Sequence, residues 1–478
     1  MTHPAHTPPV ITREGEIIAA RAPARERFSW ALYDFSNTIF SMNIATLFFS
    51  VWLVSDLHGT LTMVALGNGI SSAMVALSIP LFGAISDATQ KRKPWVVWFT
   101  VAACAATFAM GVIGQTSIPL IGEAVHGAVQ IPNYHLGGTA AIVIIISFIL
   151  ANYAYQGAQP FYNAMMPELV PQAEQGRLSG IGTALGYVGS ILGILMVMPF
   201  FNGALAPNVP LPGGFIDALQ SLVPFTSHGG RVSTFVPTAL FFLLFSLPLF
   251  IFCRDHNARQ AKDALQWRKA FADVAHTVRD AKSHPGALRF ILASFLYQDA
   301  IGTIIAYMAL YAVKAMGFQK GLETTLLMVL TLPAVLGSYL IGRIVDSIGP
   351  KRSLLMVITA WVVLLIAMVL VPTRAAFWVV GAMIGFIFGG VPTAERPLLL
   401  SLVPDVEAGR FFSLMVLSSR AAAIVGPFIW AFTVDGLLPT YGTALAYRAG
   451  VVTVAIGMLG ALILLWPVPD KWRKPAAV

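Results

Sequence analysis

Long apolar runs follow one another along the chain, and polar residues fall mostly in the short stretches between them. Each run is close to the roughly 20 residues that an α-helix needs to cross a bilayer. The predicted spans lie near residues 28–54, 60–86, 94–114, 139–166, 177–200, 233–252, 287–313, 322–346, 353–371, 375–402, 411–434 and 443–466. Because a backbone in lipid must satisfy its own hydrogen bonds, this pattern predicts an all-α membrane protein with twelve transmembrane helices.

One long polar interval separates the runs into two sets of six. The predicted regions are a disordered cytosolic tail (1–27), a six-helix bundle (28–253), a cytosolic linker (254–286), a second six-helix bundle (287–467) and a cytosolic tail (468–478). In the linker, Trp267, Phe271, Val274 and Val278 recur at helical spacing beside basic residues, which indicates an amphipathic helix. This helix either lies on the bilayer surface or packs beneath the bundle.

Composition and charge agree with a membrane location. The chain is 57% hydrophobic and 11% charged, whereas a soluble domain has about a quarter of its residues charged. With the N-terminus inside, 23 of the 30 Lys and Arg residues fall in predicted cytosolic segments and five in outer segments. The positive-inside rule then predicts both termini in the cytosol and a plasma membrane location, the inner membrane in a bacterium. This bias accounts for the net charge of +8 without nucleic acid.

Cysteine and histidine usage excludes several kinds of site. The two cysteines, Cys104 and Cys253, give no disulfide framework and no metal-ligand spacing. All nine histidines lie in the tail or in loops, so no intramembrane pair is available for haem or copper. The sequence also contains no nucleotide-binding loop and no nucleophile–base arrangement. We therefore expect no metal, no cofactor and no enzymatic activity.

Three short patterns occur once in each set of six spans, in the same order. L-V-P-x-x-E-x-G-R is found at residues 169–177 and 402–410. G-x-x-x-D, followed by K-R, begins at Gly83 and again at Gly342, and D-x-x-x-T-I occurs in spans 1 and 7. Two sets of six spans have the same orientation, so the halves are parallel repeats about an axis along the membrane normal. Such proteins bind their solute between the halves, near the midplane.

The signature loops resemble those of a known superfamily. Residues 83–92 (G-x-x-x-D-x-x-x-K-R) and 342–352 (G-R-x-x-D-x-x-G-x-K-R) are similar to the loop signature of the major facilitator superfamily. The first copy has Thr89-Gln90 where the signature has its central glycine. The resemblance implies the major facilitator fold of two pseudo-symmetric six-helix bundles.

One branch of that superfamily is similar in more detail. Residues 30–37 (W-A-L-Y-D-F-S-N) resemble a hallmark of the vacuolar amino-acid effluxer-like branch. Y-N-A at 162–164 with Pro167, and Tyr297 with Asp299, fit the same branch. The resemblance covers essentially the whole chain after the tail and implies a carrier.

The signature loops contain the predicted gating residues. We expect Asp87 and Asp346 to accept hydrogen bonds from a facing helix N-terminus or an arginine, which would stabilise the outward-open state. Arg92 and Arg352, in the basic clusters one turn on, are assigned to the same gates. Anchoring of these basic side chains at the membrane interface is the alternative.

Charged residues inside the predicted spans form a second group of candidates. They are Asp34, Asp299, Glu395, Arg396 and Arg420. A charge at that depth costs at least about 2.5–3.5 kcal/mol, so it faces the interior, pairs or functions. We expect Asp34 and Asp299 to bind solute or a coupling proton, because a carboxylate removed from water retains its proton more readily. Glu395 and Arg396 are assigned to gating, and Arg420 to a solute carboxylate. Permanent ion pairs are the alternative.

Polar side chains recur on one face of spans 1, 4 and 7. The candidates are Asn37 with Asp34 in span 1, Asn152, Gln156, Gln159 and Asn163 in span 4, and Thr303 and Tyr307 after Asp299 in span 7. Amides that faced lipid would be costly, so these faces line a cavity or make hydrogen bonds inside the bundle. Four amides on one face of span 4 favour the cavity.

These features together predict a secondary transporter that moves a small polar solute by alternating access, around a site lined by spans 1, 4, 7 and 10. An amino acid is the solute that the family resemblance implies, and the intramembrane carboxylates suggest proton coupling. A non-transporting receptor or assembly factor on the same scaffold is the alternative. The expected partners are the solute, the lipid bilayer and protons, without nucleic acid, and the expected functional unit is a monomer.

Overall fold

A helix occupies each of the twelve predicted spans in the computed structural model, so the all-α prediction is confirmed. The structure describes residues 10–11, 17–18, 21–59, 61–117, 124–125, 128–129, 138–206, 209–256, 285–318 and 323–472. In chain order, α1 to α12 are Ala24–Asp56, Leu61–Thr89, Lys93–Ser117, Gly138–Ala164, Gln175–Asn202, Phe235–Phe252, Pro285–Lys314, Glu323–Ile348, Pro350–Leu370, Arg374–Leu402, 408–441 and Thr443–Leu465.

Short elements connect these helices. Three antiparallel strand pairs are β1 Val10–Ile11 with β2 Ile17–Ile18, β3 Ala124–Val125 with β4 Ala128–Val129, and β5 Ala204–Ala206 with β6 Val209–Pro210. Short helices and 3-10 turns cover Met166–Leu169, Gln172–Glu174, Gly213–Leu222, Arg231–Thr234 and Asp405–Glu407.

At the start of the N-terminal bundle the structure differs from the predicted boundary. After its last helix the predicted linker cannot be compared with the structure. Helix α1 begins at Ala24, so residues 24–27 belong to a helix and not to the disordered tail predicted for residues 1–27. Glu26 is buried there because its helix packs on the bundle. The predicted amphipathic linker helix falls within 257–284, outside the described residues.

Most helices have the length and polarity of membrane spans. Among the described residues nine are long and apolar enough to cross a bilayer, and α2 would be a tenth, bent by 47° between Leu66–Ser78 and Leu81–Thr89. Helices α11 and α12 form one segment, Ala408–Leu465, broken at Gly442. Gly442 has φ 78°, a left-handed conformation that glycine adopts without steric cost. Helix α10 is interrupted at Gly389, between Arg374–Phe388 and Gly390–Leu402.

Two helix pairs make the most extensive contacts between the halves of the molecule, and smaller contacts join α10 to α5 and the Ala408–Leu465 segment to α4. Helix α2 packs on α11, and α5 packs on α8. The signature glycines lie at these contacts: a Cβ on Gly83 would be 2.7 Å from Arg410 Cα, and one on Gly342 would be 2.8 Å from the Gly176 carbonyl oxygen. A larger residue at either place would push the helices apart, so the glycines allow the two halves to approach at backbone distance.

Candidate functional site

The carboxylate of Asp87, at the end of α2, binds the first turn of α11 in the other half. Its oxygens accept hydrogen bonds from the backbone N–H groups of Gly409 at 3.0 Å and Arg410 at 3.1 Å. The Arg410 side chain adds an ion pair at 3.7 Å. Free N–H groups and the helix dipole make a helix N-terminus a favourable place for a negative charge.

Asp346, at the end of α8, makes the corresponding contact in the opposite direction. Both of its carboxylate oxygens accept from the backbone N–H of Arg177, at 3.1 and 3.0 Å, in the first turn of α5. Arg177 and Arg410 are equivalent positions of the repeated L-V-P-x-x-E-x-G-R segment. The two helix-end contacts, Asp87 with α11 and Asp346 with α5, therefore hold the halves together reciprocally. We call this end of the bundle the signature-loop end.

Arg92 and Arg352, predicted to act in equivalent gates, lie in different surroundings. Arg92 is fully buried and donates to Glu168 at 2.6 Å and to the Asp405 carbonyl of the other half at 3.1 Å. Arg352 has a side chain 69% exposed, and its described ion pair is with Asp470 in its own half, at 3.1 Å. Arg92 therefore contacts the other half, whereas the described ion-pair partner of Arg352 lies in its own half.

Inside the bundle, Asp34 of α1 and Arg396 of α10 form an ion pair across the two halves. The two guanidinium nitrogens lie 2.8 and 3.4 Å from the carboxylate oxygens, in a bidentate arrangement. Arg396 also lies over the rings of Trp30 and Tyr162, 5.9 and 5.8 Å from their centroids. The pair is therefore buried among aromatic rings, where each charge depends on the other.

Trp30 and Tyr162 hold α1 against α4 and so position Asp34. The indole N–H of Trp30 donates to the Tyr162 carbonyl and the Tyr162 hydroxyl donates to the Trp30 carbonyl, each at 3.0 Å. The rings stack with centroids 4.6 Å apart. Trp30 and Tyr162, which come from two distant sequence motifs, thus form one rigid unit next to the ion pair.

Glu395, next to Arg396, has partners in its own half. Its carboxylate accepts from the Tyr297 hydroxyl at 2.9 Å and from the Gln298 side-chain amide at 3.0 Å, both on α7. These bonds fix the end of α10 that carries Arg396. Glu395 therefore supports the position of the ion pair, and its contacts with α7 do not cross to the other half.

The predicted amide face of α4 is buried in the N-terminal half. The Gln156 side chain donates to Asn152 at 3.0 Å, and Asn152 lies 3.5 Å from Asn68. Several buried polar atoms of α1, α4 and α5 have no hydrogen-bond partner among the described residues, and we call them the amide cluster: Asn37 Oδ1, Gln156 Oε1, Gln159 Nε2, Asn163 Oδ1 and Thr183 Oγ1. Buried groups left unpaired are costly, so this amide cluster has the capacity to bind a polar solute or water.

Asp299, Thr303 and Tyr307 do not join this cluster. The first two line a cavity of about 300 Å³ whose lining residues come from α7, α11 and α12. Tyr307 stacks on Trp430 of α11, with ring centroids 5.1 Å apart. In this conformation span 7 does not present these residues to the predicted site shared with spans 1, 4 and 10, because that face of α7 packs on α11. The side chain of Arg420 lies outside what the structure describes.

Comparison with known proteins identifies the family. The profile described as "Vacuole effluxer Atg22 like" matches residues 58–477. The chain belongs to this family. An uncharacterized MFS-type transporter, YxiO, of Bacillus subtilis (strain 168) is 22% identical over 418 residues, which are 86% of this chain and 88% of the relative. Multidrug resistance protein MdtG of Rahnella sp. (strain Y9602) is 25% identical over 278 residues, 58% of this chain and 60% of the relative.

Solved structures show the same fold. A bacterial homologue of the iron transporter ferroportin, in an outward-facing state with soaked iron, superposes with a TM-score of 0.65 at 14% identity, covering 93% of this chain and 98% of the other. The transporter FucP, in the outward conformation, gives a TM-score of 0.62 at 12% identity, covering 92% and 98%. The Atg22-like chain therefore has the major facilitator fold, as predicted, and it is a multi-pass membrane protein of a transporter family rather than an enzyme.

One cluster at the signature-loop end of the Atg22-like chain was not predicted. The His256 ring lies 2.9 Å from the buried Glu26 carboxylate, and the His256 backbone N–H donates to Glu168 at 2.7 Å. Asp255 accepts from the N–H groups of Arg92 and Lys93, both at 2.9 Å. The hydrogen bond between the His256 ring and Glu26 raises the pKa of His256 above its usual value, although burial of the ring acts in the opposite direction.

The cluster could have been found from one signal in the sequence. Glu168 is an acidic residue placed between the polar face of span 4 and the L-V-P repeat, where its counterpart in the second half is Ser401. A carboxylate present in one half and absent from the other indicates a partner specific to that half. That partner is Arg92.

Proposed function

We propose that this chain is a secondary carrier that moves a small polar solute across a bacterial inner membrane by alternating access, as a monomer with both termini in the cytosol. The observation that carries the proposal is the reciprocal pair of helix-end contacts made by Asp87 and Asp346. Each contact is a charge–dipole interaction confined to one helix end, which can be made and broken as the halves rock. The description of YxiO as an MFS-type transporter supports the same function.

The amide cluster of α1, α4 and α5 supports a polar solute. Its unpaired oxygen and nitrogen atoms offer both acceptors and donors in a buried place. A solute that binds there would replace missing hydrogen bonds, whereas an apolar solute would leave them missing. The preference for a polar solute follows from that difference.

The Asp34–Arg396 ion pair supports an amino acid among polar solutes. A zwitterion carries one carboxylate and one ammonium, and these groups match the two partners of the pair. In the proposed exchange the solute carboxylate takes the place of Asp34 on Arg396, while its ammonium takes the place of Arg396 on Asp34. When the halves part without solute, Asp34 is left as a lone buried carboxylate, which favours uptake of a proton and so proton coupling.

Counterflow in proteoliposomes tests transport and the ion pair together. Liposomes preloaded with an unlabelled amino acid mixture are expected to accumulate labelled amino acid through the wild-type protein. Asp34→Asn is expected to lower exchange at least tenfold, because hydrogen bonds to charged groups contribute about 1.5–3 kcal/mol each.

Asp56→Asn is the matched control for this experiment. Asp56 is on the same helix and also pairs with an arginine, Arg231 at 2.6 Å, but both residues are in the N-terminal half. Exchange by this variant should stay within about twofold of wild type. Equal exchange by Asp34→Asn and wild type would reject the role of the ion pair. Binding of amino acids without any counterflow would instead favour the non-transporting receptor.

A further inference from the structure

A separate crevice in the C-terminal half has the composition of a ligand site. It lies between α7, α11 and α12 and has a volume of about 300 Å³. Its walls are mostly apolar, and its lining residues are Phe295, Leu296, Asp299, Ala300, Thr303, Val425, Gly426, Ile429, Thr453, Val454, Ile456 and Gly457. Small-molecule sites are typically concave and apolar with a few placed polar groups, and start at about this volume.

The polar groups of the crevice converge beside Gly426. The Gly426 backbone N–H donates to Asp299 Oδ1 at 2.6 Å. The Thr303 hydroxyl is 1% exposed and has no hydrogen-bond partner among the described residues. A Cβ on Gly426 would lie 2.0 Å from Thr303 Oγ1 and 2.7 and 2.8 Å from the two Asp299 oxygens. Three oxygen atoms therefore surround a small space that only glycine leaves open.

The described lining of the crevice contains one ionisable side chain, the Asp299 carboxyl group. No lysine, arginine or histidine is among its described lining residues. Asp299 lies near the middle of α7, at a depth that lipid headgroups do not reach. A carboxylate in such a place is stabilised by a cation.

The surroundings of the crevice decide between an inorganic and an organic cation. Ca²⁺ takes six to eight oxygen ligands and Mg²⁺ six, whereas three side-chain oxygens converge here. Ile429 and Ile456, on the rim, are 47% and 63% exposed, and such apolar surface on a membrane helix faces lipid. A hydrated ion would have to cross that apolar rim, while an amphipathic amine can partition into it.

We propose that this crevice binds a hydrophobic organic ammonium ion that enters from the bilayer. The ammonium donates hydrogen bonds to Asp299 and Thr303 beside Gly426, and the apolar body packs against Phe295, Val425 and Ile456. The site is distinct from the amide cluster and from the Asp34–Arg396 pair. Its existence therefore does not depend on which solute the carrier moves.

Binding to the purified full-length protein in nanodiscs tests the site, with empty nanodiscs subtracted. The probe is labelled 2-phenylethylammonium, which the cavity can enclose. Isosteric 3-phenylpropanoate provides the anion, phenylalanine the zwitterion, and sodium chloride an inorganic cation. The wild type should bind the amine, and unlabelled amine should compete at least tenfold better than the other three compounds.

Gly426→Ala and Gly457→Ala form the matched pair of variants. Both place a methyl group at the same crevice, but a Cβ on Gly457 has no atom within 4 Å, while one on Gly426 occupies the space between the three oxygens. Alanine is the better helix former at both sites. Gly426→Ala and Thr303→Val should weaken amine binding at least tenfold, while Gly457→Ala stays within about threefold of wild type, and melting temperatures report folding.

Two outcomes would overturn the proposal. One is the absence of amine binding to folded wild-type protein, whether or not sodium ions stabilise that protein. The other is equal amine affinity in wild type and in folded Gly426→Ala or Thr303→Val. Amino acid counterflow, measured on the same Gly426→Ala protein, reports on the central site separately, so a failure of one proposal does not imply failure of the other.

Discussion

The two signature loops bind the opposite half in the same way, but the basic residues that follow them are used differently. Asp87 and Asp346 each hold the first turn of a helix across the interface. Arg92 then turns inward to the buried Glu168, whereas Arg352 stays at the surface beside Asp470. The repeat thus preserves both contacts between the halves, while among the described residues a buried ion pair stands behind the first loop only.

Removal of the two arginines should separate their roles by the largest margin. Arg92→Ala leaves the Glu168 carboxylate buried without its cation, and breaking such a pair costs about 3–5 kcal/mol. Arg352→Ala removes a surface pair, which contributes about 0–1 kcal/mol. The free energy of unfolding in mixed micelles measures both. Similar losses for the two variants would show that Arg92 is not an internal support.

The two helix-end contacts should, in contrast, be equivalent. Asp87→Ala or Asp346→Ala removes hydrogen bonds from a charged group, at about 1.5–3 kcal/mol each, which increases the open fraction at that end by about tenfold or more. Ser179 reports this opening, because it is fully buried and its hydroxyl donates to the Pro392 carbonyl of the other half at 3.2 Å. Alkylation of Ser179→Cys, with Cys104 and Cys253 replaced by serine, should accelerate similarly in both variants.

A cysteine at Ser221, an exposed residue of the short helix Gly213–Leu222, gives the control for this labelling. Its alkylation rate should not change in either Asp variant. Acceleration in one variant but not in the other would mean that a single contact determines closure, and that the repeat does not preserve the gate.

The smallest expected effect is the pH dependence of the His256 cluster. The pKa of the His256 side chain is raised by its hydrogen bond with Glu26. The stabilisation is therefore fully present below the unfolded pKa, about 6.5, and is lost as the pH rises through the folded pKa. His256→Asn should remove this slope. The difference should stay below about 1 kcal/mol, because the ring is 38% exposed and solvent screens the pair.

Unfolding of wild type and His256→Asn at a series of pH values measures this difference. Glu26, Glu168 and Arg254 are the charged groups that act on the ring. If the two proteins keep a constant difference between pH 5 and pH 9, the ion pair with Glu26 does not contribute. Arg352→Ala is expected to keep the wild-type slope, since Arg352 is not among these groups.

The sequence was sufficient to predict those features of the structure that depend on a local residue pattern or on the internal repeat. Apolar runs give the spans because lipid imposes one length and one backbone solution. The repeated signature predicts the contacts of Asp87 and Asp346, because a carboxylate at a helix end needs a facing donor. The role of these contacts in gating remains a prediction.

The rest depends on which helix faces which, and no local pattern contains that information. Asp34 and Arg396 are 362 positions apart, and their pairing follows from the packing of α1 and α10 in one conformation. Asp299 matches Asp34 in the repeat, but α7 presents it to α11, where Gly426 leaves room for its carboxylate. Equivalent positions in the two halves therefore have different partners.

The one-residue break of α10 at Gly389, where the dihedral angles stay in the right-handed helical region, lies two turns before Arg396. A Cβ on Gly389 would lie 1.9 Å from the Ser338 hydroxyl of α8, so the break in α10 packs directly against α8, the helix that ends near Asp346. A tilt of α8 that carries Gly390–Leu402 and α7 along, since Glu395 joins them, would take Arg396 away from Asp34 of α1. Faster amide hydrogen exchange in Gly390–Leu402 than in Arg374–Phe388 would show that the two segments of α10 move separately. The departure of Arg396 from Asp34 and the release of the Asp346 contact would then belong to the same conformational change.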